Sequence, residues 1–198
     1  MSALFNRLRA ELDRQLGRTG TEDYVVRGFR VVVENTRPDI ATSTVLGRLD
    51  EALELIERHQ PWRLAHLRRD LSQFWIVRFA CRGAYFPASR TVLTELTFLA
   101  RTDISAAPVA ASIVHEGMHA RVNEMRVRPE SRNPAREERI CRRAELDFGR
   151  ALPLDLGTPV VERAEASLAL ADEEVAPEID WVEARRRQDA VDRGQPAR

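Results

Sequence analysis

The sequence predicts an α+β domain: a small β-sheet packed on a pair of antiparallel helices, with additional helices toward the N- and C-termini. Three observations carry that expectation. Two stretches dense in β-branched and aromatic residues, YVVRGFRVVVE (24–34) and FWIVRFAC (74–81), are set among segments whose leucines recur every three or four positions. The length of 198 residues, with 43% hydrophobic and 31% charged side chains, suits one continuous core. A helix-period segment around residue 115 is followed, across the polar break VRPESRNP, by a second one with its own start signal.

Taken in order, Leu4, Leu8, Leu12 and Leu16 mark a short amphipathic helix. Residues 24–34 read as one bent strand or two short ones, interrupted at Gly28. Leu46, Leu49, Leu53 and Ile56 repeat at helical spacing until Pro61 stops them, and Leu64, Leu67 and Leu71 mark a second short helix. FWIVRFAC and a run from Ala84 to about Leu96 then flank Arg82-Gly83, which reads as a hairpin connection. Ser105 is placed to cap a helix that accepts Pro108 in its first turn and shows Ala111, Val114, Met118, Val122 and Met125 on one face. Asn133 with Pro134 is a cap followed by proline at the first helical position, opening a helix through Ile140, Ala144, Phe148 and Leu152. The division expected is one domain over 1–155 and a charged helical extension over 156–198, with helical patches at 160–170 and 179–191.

Thirty-one basic and thirty-one acidic residues leave no net charge, which removes the field a nucleic-acid binder carries. Every basic residue is arginine. Arg185 to Arg187 is flanked by Glu183 and Asp189 and reads as a solvated patch. No run approaches the length of a membrane span, and the charged first twenty residues do not form a secretory signal, so a cytoplasmic location is expected. Cys81 and Cys141 are too few for a disulfide framework.

Residues 115–119 read HEGMH. On a helix, positions four apart leave the same face, so His115 and His119 can meet one metal ion at about 2.0–2.1 Å. Glu116 projects about 100° round the helix from His115, beside such an ion, where it can act as a base toward water.

In these residues and their setting the chain resembles the zincin metallopeptidases, whose active-site helix carries H-E-x-x-H after a sheet. Over about 74–152 it is more particularly similar to the gluzincin branch, in which a glutamate on the next helix is the third ligand. The resemblance implies a zincin-like fold, one zinc per chain held by His115 and His119, and Glu116 as general base. Glu145 and Glu138 are the contenders for third ligand. If the two helices mirror each other about their loop, Glu145 falls opposite the histidines. It also shares a buried face with Cys141, Ala144 and Phe148, where a metal would remove the cost of an unpaired carboxylate. Glu138 stands beside Glu137 in the first turns, where the helix dipole alone accounts for acidic residues. Cys141 reads as a small buried apolar residue.

The chain departs from the gluzincin pattern in having no histidine or tyrosine beyond His119, and Gly149 stands four after Glu145. Electrophilic help would then come from Tyr85, His66, Arg121, Arg142 or a partner chain. The expected function is a zinc-dependent hydrolase, a metallopeptidase cleaving an amide bond in a peptide or protein laid along a strand near Arg90 to Leu96. The alternatives are a non-catalytic zinc-stabilised interaction domain, and hydrolysis of a non-peptide amide or ester.

Overall fold

The computed structural model describes residues 21–125, 133–176 and 181–192; the expected N-terminal helix over Leu4–Leu16 and most of the break before Asn133 lie outside them. The described residues form an α+β fold with a five-stranded mixed sheet. Strands β1 (Glu22–Val26) and β2 (Phe29–Glu34) make an antiparallel hairpin in which Val26 faces Phe29. Its two-residue loop puts Arg27 at φ 46° and Gly28 at φ 82°, the left-handed pair that a type I′ turn requires. Helices α1 (Thr42–His59) and α2 (Pro61–Asp70) follow, separated where the sequence places the break, at Pro61. The strained Arg27 also clamps the hairpin to α1, through Asp50 at 3.0 Å, Glu54 at 3.1 Å and Glu57 at 2.7 Å.

Next come β3 (Gln73–Val77), β4 (Gly83–Phe86), β5 (Thr91–Glu95) and the single turn α3 (Leu96–Leu99). The sheet order is β1-β2-β3-β5-β4, with β2, β3 and β5 parallel and β4 antiparallel to β5. Two expectations are corrected here. Arg82-Gly83 is not a hairpin turn, because β3 pairs with β5 and not with β4. The run 84–96 is two strands, because Pro87 has no N–H for a ladder and the chain reverses over 87–90, with Arg90 at φ 51°. β4 therefore forms the sheet edge, and β5, where a bound peptide was expected, is interior.

Helices α4 (Ala107–Glu124) and α5 (Pro134–Ala151) carry the HEGMH segment and the acidic contenders. Asn133 caps α5 as expected, its side chain accepting from the Arg136 N–H at 3.0 Å. α6 (Leu154–Leu168), α7 (Asp172–Val175) and α8 (Trp181–Asp192) complete the described chain. One face of the sheet, with Val31, Val33, Phe74, Ile76 and Val92, shares a core with α1, α2, α4, α5 and α6. The other face carries a smaller cluster of Val32, Trp75, Val77, Phe86 and Leu93. Residues 154–168, assigned from the sequence mostly to an extension starting at 156, belong to the main core through Val160, and Ala164 is fully buried. The expected apolar stripe on α4 is also incomplete: Met125 is exposed, whereas Ala107, Ala110, Ile113 and Ala120 are buried. Among the described residues no helix is long and apolar enough to cross a membrane.

Candidate metal centre

The middle of α4 faces the first three turns of α5, and there the two imidazoles of HEGMH converge. His115 Nε2 and His119 Nε2 are 3.1 Å apart, with ring centroids 4.9 Å from each other. The Glu138 carboxylate closes the triangle, one oxygen 3.3 Å from His115 Nε2 and the other 3.1 Å from His119 Nε2. The outer nitrogens meet two further carboxylates of α5. His119 Nδ1 faces Glu137 Oε1 at 3.0 Å, and His115 Nδ1 lies 2.6 Å from Glu145 Oε1, close enough for an ion pair though off the direction of a ring N–H bond. Arg142 pairs with that same Glu145 oxygen at 2.7 Å.

Glu138, Cys141 and Glu145 stand at i, i+3 and i+7, on one stripe of α5. This stripe was legible in the sequence, and so in part was the height of each residue along it. Mirror counting from the loop places Glu145 opposite His115, and the two are in contact, as are Cys141 and His119; counting does not give which ring nitrogen each residue meets. Glu145, expected as third ligand, meets His115 on the nitrogen turned away from His119. Glu138, the other contender and the less favoured from the sequence, sits between the two nitrogens that face each other. Glu137 had no expected role, and its one advance signal was its place beside Glu138 in the acidic first turns.

The donor set fits a zinc ion. Two ligands at about 2.0–2.1 Å, subtending a tetrahedral angle, are separated by about 3.3 Å; the two Nε2 atoms, 3.1 Å apart, match that spacing, and Glu138 offers a different oxygen to each, 3.3 Å from His115 and 3.1 Å from His119. Glu137 at the outer nitrogen of His119 favours the tautomer whose Nε2 lone pair turns inward. Charge fits as well. Two imidazolium ions and Arg142 balance three carboxylates, and a dication on two neutral imidazoles gives the same balance. Cys141, fully buried, is a further candidate donor, its Sγ within 4.8 Å of a ring nitrogen of each imidazole.

The electrostatics agree with this tight grouping. Burial alone would lower the His115 and His119 pKa values. Contact with Glu138 and Glu145 keeps His115 above the ordinary imidazole range, and contact with Cys141, Glu137 and Glu138 keeps His119 well above it. Burial would raise Glu138, yet its two histidine partners hold it far below the usual carboxylate range. Glu145 is likewise held low against its burial, by His115 and then by the charges of Arg142 and Arg163.

Glu116 lies against the edge strand. A Cβ placed on Gly83, the first residue of β4, would come within 3.2 Å of Glu116 Oε1 and 3.0 Å of Ser112 Oγ, so the missing side chain leaves room for both. Of the electrophiles expected from the sequence, Tyr85 sits on β4 beside Asn123 and Glu124, at the far end of α4. Arg121 faces the buried Asp70 at 3.8 Å, and His66 on α2 is depressed by burial and then by the charges of Arg121 and Arg69. Arg142 comes nearest, one carboxylate away from His115. Compared with protein-family models, with characterised proteins and with solved structures, the chain gives no significant match.

Proposed function

We propose that this chain is a zinc-dependent hydrolase, best read as a metallopeptidase, in which His115, His119 and Glu138 hold one zinc ion. The observation that carries the reading is the convergence of His115 Nε2 and His119 Nε2, 3.1 Å apart, on the Glu138 carboxylate, one oxygen of which lies 3.3 Å from the first and the other 3.1 Å from the second. When bound, zinc supplies a Lewis acid that polarises a substrate carbonyl and acidifies water. Glu145 and Glu137 orient the imidazoles from behind, and Arg142 fixes Glu145. Glu116, off the ligand face and against the sheet edge, receives the proton of the attacking water on its carboxylate and returns it to the departing amine. An extended peptide has, among the described residues, an open sheet edge to lie along at β4, whose first residue Gly83 is beside Glu116.

A second reading is favoured by Cys141. If its thiolate also binds, four protein ligands close the site, and the zinc stabilises the α4–α5 pair without turnover. One set of measurements separates the readings. Purified protein should carry one zinc per chain, lost in His115→Ala and His119→Ala, and Glu116→Gln should keep the metal while hydrolysis of a peptide library falls about a hundredfold or more. A cobalt-substituted protein with a thiolate charge-transfer band, abolished in Cys141→Ser, would establish the closed site instead. Protein that takes up no zinc even when it is added would end both.

A further inference from the structure

A second feature of the molecule is a cavity of about 120 Å³ enclosed by the start of α4, the segment before β4, and helices α5 and α6. Its polar walls are Arg82, Arg101, Glu145 and Arg163, and its apolar walls include Phe98 and Val160. Two of these charges are already matched. Arg101 forms a forked pair with Asp103, at 2.8 and 2.5 Å, and Glu145 is matched by Arg142 and His115. Arg82 and Arg163 are different. Neither forms an ion pair among the described residues, and the Arg82 guanidinium lies over the Phe98 ring, 5.2 Å from its centroid, which holds it at the cavity wall. Both guanidinium groups are held below their ordinary pKa, first by burial and then by repulsion from neighbouring arginines, against the attraction of the Glu145 carboxylate in the same cavity wall. Glu145, shared with Arg142 and His115, is one carboxylate against two half-enclosed arginines, so a second anion would relieve the remaining like-charge cost, and a planar fork is the group that best matches a carboxylate.

The cavity is also next to the candidate centre. Ala111 lines it one helical turn before His115, about 5–6 Å along α4, and Glu145 belongs to both places. Arg82 immediately precedes Gly83, where the sheet edge begins. A chain laid along that edge and over Glu116 therefore reaches Arg82 within about one or two extended residues.

We propose that Arg82 and Arg163 form a recognition pocket for a substrate carboxylate, so that the hydrolase prefers an acidic residue or a free C-terminus beside the bond it cleaves. The binding half of this proposal stands on the cavity alone; the link to cleavage rests on the zinc-hydrolase reading. The probes are N-acetyl-L-alanine, with a terminal carboxylate, the α-amide of N-acetyl-L-aspartate, with a side-chain carboxylate, N-acetyl-L-alanine amide, with none, and inorganic phosphate. Calorimetric titration of the chelator-treated full chain should show saturable binding of one or both carboxylates and not of the neutral amide, and the tighter carboxylate identifies the source. Arg82→Gln and Arg163→Gln should each weaken that binding about tenfold or more, and exposed Arg136→Gln should leave it unchanged. Arg163→Lys, which keeps the charge and loses the fork, covers the case in which Arg163→Gln fails to fold, and should still lose affinity. Binding that persists in His119→Ala protein would uphold the pocket even if the zinc reading failed. The proposal is overturned if neither carboxylate binds wild type, if the neutral amide or phosphate binds as tightly, or if the arginine variants bind like wild type.

Discussion

Glu138 and Glu145 are two helical turns apart on α5, and each meets a different nitrogen of His115. In the proposed zinc site, the difference in nitrogen separates a ligand from a residue that orients a ligand, and it sets different costs for removing each. Removing Glu138 deletes a donor of the triangle, whereas removing Glu145 frees the outer nitrogen of an imidazole whose inner nitrogen still faces the centre. Glu138→Ala is expected to weaken zinc binding by more than about a hundredfold, and Glu145→Ala by about ten- to a hundredfold. Competition with a chromophoric chelator measures both, and the reverse order would return Glu145 to the position of third ligand. The residue scale also shows why the sequence favours Glu145. Burial identifies it as the more enclosed side chain, but a ligand to a reactive centre stands at the open side of it, and Glu138 is more exposed than Glu145.

Between elements, the centre depends on α5 being held at one height against α4, and α6 supplies much of that support. A Cβ on Gly157 would run into the Gly149 carbonyl oxygen, and a Cβ on Gly149 would come within 2.8 Å of Val160 Cγ1. The two helices approach so closely that backbone meets backbone, and neither can yield without moving α5. Gly157→Ala is therefore expected to cost about 1–3 kcal/mol in urea denaturation, despite the better helix propensity of alanine. Gly47, exposed on α1, is the control: an added Cβ there meets nothing within 4 Å, and alanine should stabilise by about 0.5–1 kcal/mol. A Gly157→Ala protein as stable as wild type would mean that the α5–α6 contact is looser than described. The sequence announced the ends of these elements better than their contacts. Pro61 and Asn133-Pro134 fix local dihedrals and caps, so the boundaries they set were legible. The insertion of β5 between β3 and β4 was not, because it depends on which strand edges bury Phe74 and Val92 together, a choice made only in the assembled core.

Across the whole molecule, the HEGMH spacing was readable because it follows from helical geometry alone, and the ring of carboxylates around it was readable only in part: counting sets Glu145 against His115, but which nitrogens Glu137, Glu138 and Glu145 meet depends on side-chain placement in the assembled helix pair. That ring gives the metal-free protein a pH dependence of its own. His115 and His119 have raised pKa values in the folded chain, so their contribution to stability is fully present below about 6.5 and is lost as pH rises through their folded values. Glu138 and Glu145 have lowered values, so their contribution is present above about 4.3 and is lost as pH falls. Both contributions coincide between about pH 4.3 and 6.5, and metal-free protein should lose stability as pH is raised from about 6 to 8. Zinc bound as proposed would reverse the sign, since it would need both imidazoles neutral and its binding would release the protons that hold the metal-free pair together. The gain in melting temperature on adding zinc should therefore grow between about pH 6 and 8, while the melting temperature of chelator-treated protein falls. His119→Ala should flatten both trends, because it removes one titrating group and one ligand together. A zinc gain that shrinks over the same interval would mean that the ion binds somewhere other than between His115, His119 and Glu138.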